Sequence, residues 1–206
     1  MRLTLLPIAL MGIWLLTGCS SQMATPSAAL DPHHTVALPA PAMTPGFYRQ
    51  QLLTVTLPRQ QGAGQSLLTV LEVSGKGIVL VGLTPLGVRL FAIEYDEAGI
   101  RSEQLPALSA LGALPPINQV LADVMLSYWP IARWQPLLPA GWTLEDRGLR
   151  RELRDAGGQL VSEIHYRQMG AYREPVRLWH HLFGYQLQIQ TLATAADPPL
   201  AGKVSR

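Results

Sequence analysis

The chain has 206 residues, 48% of them hydrophobic and only 15% charged, with a formal net charge of +2. An ordinary soluble domain carries about 25% charged residues, so apolar groups are buried on more than one face or around an apolar space. No basic run is long enough for a nucleic-acid surface, and a single cysteine rules out a disulfide within the chain. The first element is a short apolar run, Leu3 to Leu16, behind the positive charge of Met1-Arg2. It ends in small residues before Cys19. That is the layout of a secretory signal peptide, and the run is too short to span a bilayer.

Leu16-Thr17-Gly18-Cys19 resembles the bacterial lipobox. The resemblance implies removal of residues 1–18, diacylglycerol on the Cys19 sulfur and acylation of the new amino terminus, with palmitate-like chains. At roughly 0.8 kcal/mol per buried methylene, one chain of about 15 methylenes contributes on the order of 12 kcal/mol. Three chains make desorption negligible. The alternative is an ordinary secretory signal with an incidental cysteine. Ser20 and Ser21 follow Cys19. By resemblance to proteobacterial lipoproteins, the lack of an aspartate there favours the periplasmic face of the outer membrane over inner-membrane retention.

Residues 19–46 read as a lipidated start and flexible tether. Ser20 to Thr44 is small and rich in Pro and Ala, and a span of about 25 such residues reaches some 25–30 Å. The pair His33-His34 within it reads as incidental. Strand signals begin at Gln51. QLLTVTL (51–57), SLLTVLEVS (66–74), IVLVGL (78–83), VRLFAIEY (88–95) and IRSEQ (100–104) are joined by short Gly- and Pro-containing turns, the pattern of an antiparallel meander. The period then changes. Pro115-Pro116 leads into INQVLADVMLSYW, whose Ile117, Val120, Leu121, Val124, Met125, Tyr128 and Trp129 make one helical stripe. Pro130 stops it, and Ile131 to Leu138 reads as a second helical turn around Trp134. Strands resume with WTLED, LRRELRD, LVSEIHYR, VRLWHH and YQLQIQTLA. Arg147, Arg150, Arg151 and Arg154 read as a solvated strand or turn. Residues 196–206 read as a flexible tail.

Strands, one apolar helix and strands again predict a mainly β (α+β) domain over residues 47–195. A curled antiparallel sheet, an open half-barrel, would be covered by a helical lid. Such an arrangement leaves room for an apolar cavity.

GLTPLGVRL (82–90) resembles a strand–turn–strand of the LolB family of outer-membrane lipoprotein receptors, with Thr84 in place of an asparagine. LPPINQVLADVMLSYWP (114–130) resembles that family's proline-led helix. MLSYWPIARW is more similar to a group of LolB-like lipoproteins encoded beside aryl polyene biosynthesis genes. The resemblance implies a LolA/LolB-like fold holding a hydrophobic cargo, namely an acyl chain or an aryl polyene lipid. It also implies anchorage at the outer membrane and exchange with a periplasmic LolA-like carrier. In that family the turn leucine inserts into the membrane, a role that falls here on Leu86 between Pro85 and Gly87.

Candidate cargo contacts are Leu71, Val79, Val81, Phe91 and Ile93 on strands, and Val120, Val124, Met125, Tyr128 and Trp129 on the helix. All of them also fit an ordinary core. Leu86 equally fits incidental exposure or packing on its own domain. No nucleophile elbow or phosphate loop is present. Glu163 and His165 share a strand face, while His180 and His181 point to opposite faces, short of a closed zinc site. The expectation is a non-enzyme with no cofactor and no metal. The alternative function is a scaffolding lipoprotein of an envelope biosynthetic complex.

Overall fold

The computed structural model describes residues 25–58, 64–105 and 115–195. Cys19, the signal segment and the tail 196–206 lie outside these residues. Two small strands come first, β1 (Ser27–Ala29) and β2 (Thr35–Ala37). Ten long strands make the main sheet: β3 (Phe47–Thr56), β4 (Gln65–Ser74), β5 (Gly77–Leu83), β6 (Arg89–Asp96), β7 (Gly99–Gln104), β8 (Thr143–Arg147), β9 (Arg150–Arg154), β10 (Leu160–Met169), β11 (Tyr172–His180) and β12 (Tyr185–Ala195). Between β7 and β8 lie α1 (Ile117–Tyr128) and α2 (Ile131–Trp134).

The sheet order is β7-β6-β5-β4-β3-β12-β11-β10-β9-β8, and every neighbouring pair is antiparallel. Two meanders therefore meet at β3 and β12. The outer strands β7 and β8 do not pair with each other, so the sheet is open. Register shifts in β5, β10 and β12 add local bends, as bulges do. The bent sheet covers α1 with its inner face. That face is built by alternation: Leu67, Leu71 and Val73 on β4, Ile78 and Leu80 on β5, and Phe91, Ile93 and Tyr95 on β6 are all buried. Gly82 is required on this face, because a Cβ there would meet the Phe91 ring at 2.1 Å.

The two ends of α1 are held very differently. At the C-terminal end, Arg151 Nη1 donates to Leu126 O and Trp129 O at 2.8 and 2.7 Å. Tyr166 Oη donates to Ser127 O at 2.9 Å, and Trp134 Nε1 donates to Met125 O at 3.3 Å. Arg151 and Tyr166 thus satisfy carbonyls that a helix end leaves open, while Trp134 adds a second bond to Met125 O, which also accepts from Trp129 N. At the N-terminal end the cap residue is Pro116, and no side chain caps it.

Two expectations change here. Arg151 is not solvated. It is buried, and its other donors reach the Asp146 carboxylate. Burial pushes the Asp146 carboxyl up, but hydrogen bonds and charge from Arg151 and Arg173 outweigh it and hold the group below its ordinary range. Residues 25–46 do not trail away as a tether. β1 and β2 form a hairpin, and Ala28, Leu30, Val36 and Leu38 are buried. Asn118 Nδ2 donates to Ser27 O at 2.7 Å, Trp129 Nε1 to Ala40 O at 3.0 Å, and Tyr95 Oη to Pro39 O at 3.1 Å. The segment is a strap along α1, running from its N-terminal to its C-terminal end. Composition misled because four buried apolar side chains suffice to dock a Pro/Ala-rich segment.

Replacing Arg151 with Met leaves the Leu126 and Trp129 carbonyls without their side-chain donor and Asp146 with Arg173 as its remaining partner. The expected loss is about 2–4 kcal/mol, the cost of leaving buried carbonyls unpaired. Urea denaturation of the variant against the parent measures it. A loss below about 1 kcal/mol shows that the helix end does not depend on Arg151.

Candidate functional site

Between α1 and the inner face of the sheet lies a cavity of about 90 Å³. Its walls are almost entirely apolar: Leu53, Val55, Leu67, Leu71, Leu80 and Phe91 from β3 to β6, Leu178 and Leu187 from β11 and β12, and Val120 and Val124 from the helix. An engineered apolar cavity of roughly 150 Å³ holds a benzene. This one is smaller, so it admits only a short length of hydrocarbon unless α1 moves off the sheet.

A second space is an open groove of about 760 Å³ at the N-terminal end of α1. Ser27, Ala28 and Ala29 of the strap, Leu57 and Pro58 beyond β3, Pro115 to Gln119, and Phe183 and Tyr185 surround it. Pro115 lines both spaces.

A polar cluster stands where they meet. Asp123 is buried and lines the cavity; Gln119 and Tyr185 are buried and line the groove. Tyr185 Oη donates to Asp123 Oδ2 at 2.6 Å, and Gln119 Nε2 donates to Asp123 Oδ1 at 3.2 Å. Burial pushes the Asp123 carboxyl up to about 7, against the pull of these hydrogen bonds. Burial, with Asp123 beside it, also raises the Tyr185 phenol. His180 packs against Tyr185 with ring centroids 5.3 Å apart, and burial followed by the charge of His181 lowers it to about 4. At the other end of the cavity, Gln51 Nε2 donates to Tyr128 Oη at 2.9 Å.

Of the expected cargo contacts, Leu71, Phe91, Val120, Val124 and Tyr128 line the cavity. Ile93 is on the same face and buried but does not line it. Val79 and Val81 belong to the opposite face: Leu80 is the β5 residue that lines the cavity, and Val79 is 38% exposed. Every second position of IVLVGL is apolar in either phase, so alternation alone could not choose. Met125 and Trp129 are fully buried but do not line the cavity, and the Trp129 indole donates to Ala40 O of the strap. Asp123, Gln119 and Tyr185 were missed. The available signal was an acid and an amide four residues apart on a largely apolar helix.

The β5–β6 turn bears Leu86, which is 92% exposed, with Val88 and Leu105 also exposed nearby in the sheet. Thr84 does the work of turn closure. Gly87 N donates to Thr84 O at 2.9 Å, and Val88 N donates to the Thr84 hydroxyl at 3.1 Å. The register Leu83–Leu68 and Leu53–Leu67 places this turn at the same end of the sheet as the C-terminus of β3. The groove opens at that end too.

On the outer face, His165 and His181 flank the Glu163 carboxylate at 3.3 and 3.4 Å. No group of three or more His, Cys, Asp or Glu among the described residues is arranged to hold a metal ion. His34 pairs with Asp31 in the β1–β2 turn at 2.8 Å. No helix among the described residues is long and apolar enough to cross a membrane.

Residues 48–193 match the family described as "Protein of unknown function (DUF3261)". The chain belongs to this family. No curated protein matches it. Among solved structures it is similar to one described as the crystal structure of a putative outer membrane lipoprotein-sorting protein domain from Vibrio parahaemolyticus. The identity is 14% and the TM-score 0.38, with 73% of this chain and 84% of that one covered.

Ionisation of Asp123 and His180 makes opposite demands on the fold. The raised Asp123 group favours the folded state below about pH 4 and loses that contribution as pH rises through 7, on the order of 4 kcal/mol in all. The lowered His180 group contributes above about pH 6.5, and that contribution is lost as pH falls towards 4. In Asp123→Asn the first effect disappears. The variant is expected to melt higher than the parent at pH 8, by roughly 2–4 °C for each kcal/mol gained. It should also lose stability more steeply from pH 6.5 to 4. Thermal melts across pH 4–8 check both; parallel curves for the two proteins would show that Asp123 is not the titrating group.

Proposed function

We propose that this DUF3261 protein is a lipid-anchored carrier of the cell envelope that takes the hydrocarbon part of an amphiphile under α1 and passes it to the outer membrane. The observation that carries this reading is the co-location of three features at one end of the sheet. These are the groove, the uncapped end of the helix over an apolar cavity, and the exposed Leu86 turn. Burial of each methylene stabilises the occupant by about 0.8 kcal/mol, and a bilayer offers as much, so release needs no chemistry. The reading assigns residues 1–18 to a signal peptide and the anchor to Cys19. An acyl chain or an aryl polyene lipid would be the cargo, and a LolA-like periplasmic carrier a partner. It assigns no enzymatic step.

The small volume of the cavity favours a second reading, a scaffolding lipoprotein whose interior is simply a core. Purifying the Cys19→Ser form from the periplasm and analysing its extracted lipids by mass spectrometry separates the two. A stoichiometric acyl or polyene species is expected for a carrier. A ligand-free protein that also takes up no added chain supports the scaffold. In a vesicle transfer assay, Leu86→Glu is expected to cut delivery by about tenfold or more, each 1.4 kcal/mol being a factor of ten, while uptake is unchanged. Normal delivery would remove the turn from the mechanism.

A further inference from the structure

We propose that the groove at the N-terminal end of α1 is a head-group subsite for an uncharged amphiphile, one whose head both donates and accepts hydrogen bonds, as a hydroxyl or an amide does. This rests on the carrier reading above and names the class of cargo.

The first argument is continuity. The groove and the cavity share Pro115 and are divided by the Gln119–Asp123–Tyr185 cluster. A molecule with its tail in the cavity and its head in the groove passes that cluster.

The second is an unused acceptor. Gln119 is buried, lines the groove, and its Oε1 has no hydrogen-bond partner among the described residues. A buried polar atom left unpaired is costly. The carboxylate of Asp123 adds further acceptor capacity beside it. Both call for a donor on the occupant.

The third is the charge balance. Among the described residues, no Lys, Arg or His lines either space. A phosphate or carboxylate head would lack a counter-charge and would lie near Asp123, whose own burial already disfavours a negative charge. The first-turn N–H groups of Ile117 and Asn118, which no side chain among the described residues caps, also border the groove and call for an acceptor. A hydroxyl or amide satisfies both demands; an ammonium satisfies only the first, and an anion only the second.

The test uses the full chain in its unacylated Cys19→Ser form and three probes with the same ten-carbon tail: 1-decanol, decanamide and decanoate, titrated calorimetrically at pH 8. Decanol and decanamide are expected to bind about tenfold or more tightly than decanoate, given the cost of juxtaposed like charges. Asp123→Asn is expected to bring decanoate to within about threefold of the neutral probes. Gln119→Leu should weaken the neutral probes without helping decanoate. Decanoate binding as tightly as decanol overturns the subsite while leaving the carrier intact, and so does an unchanged ratio in Asp123→Asn. The comparison in the parent sequence needs no folded variant. If none of the three probes binds, the carrier reading falls and the subsite with it.

Discussion

The arrangement depends on how one helix is fastened. Four donors from Arg151, Tyr166 and Trp134 close the carbonyls at the C-terminal end of α1, and Arg151 is itself fixed by Asp146. The N-terminal end has a proline cap and no capping side chain. Compared with lifting the other end, lifting the N-terminal end would break fewer buried hydrogen bonds, chiefly the Tyr185–Asp123 bond. The groove, the strap hairpin and the Leu86 turn lie at that end. The polarity of the molecule thus follows from hydrogen-bond accounting along twelve residues.

The cavity size fits this asymmetry. At about 90 Å³ it is a seed rather than a container: part of the interior is unfilled because Val120 and Val124 do not reach the facing leucines. Enlarging it by rotating α1 about its fixed C-terminus would expose apolar wall to water, which is unfavourable. An entering hydrocarbon removes that penalty as it advances. In the carrier reading, opening and loading would then be a single coupled process. The Asp123–Tyr185 bond is the one polar tie between the middle of the helix and β12. Its strength sets how readily the lid lifts.

Much of this was legible in the sequence. Alternation and turn chemistry gave the two meanders, and the helical stripe between prolines gave α1 within one residue of its observed C-terminus. Sheet order was not written there, because pairing of β3 with β12 joins residues far apart in the chain. The facing of β5 was lost for a simple reason: Ile78, Val79, Leu80 and Val81 are all apolar, so period-two reading has no contrast. Arg151 was lost because charge predicts exposure unless carbonyls and a carboxylate surround the group, and that enclosure is tertiary. The Asp123 cluster was lost because the helix was read for its apolar stripe, and a polar residue inside such a stripe looks like noise until its partners on β12 are in place. Cavity-lining positions on β4, β6 and the helix were legible where burial and cavity coincide, and illegible at Met125 and Trp129, which are buried outside the cavity.

The strap changes what an anchor at Cys19 would do. A free tether of some 25 residues would let the domain tumble. With the chain docked from Ser27 onward beside Asn118, only the residues between Cys19 and Ser27 separate anchor from fold, and fully extended they span at most about 30 Å. The docked point is at the groove end of α1, the end that also bears Leu86. An acylated Cys19 would therefore hold the opening and the apolar turn towards the bilayer and keep the opposite end, with the β10–β11 turn, away from it. Orientation is set by where the strap docks rather than by the turn alone. In the carrier reading a single weakly inserting leucine would then suffice, because such an anchor would bring it to the bilayer surface.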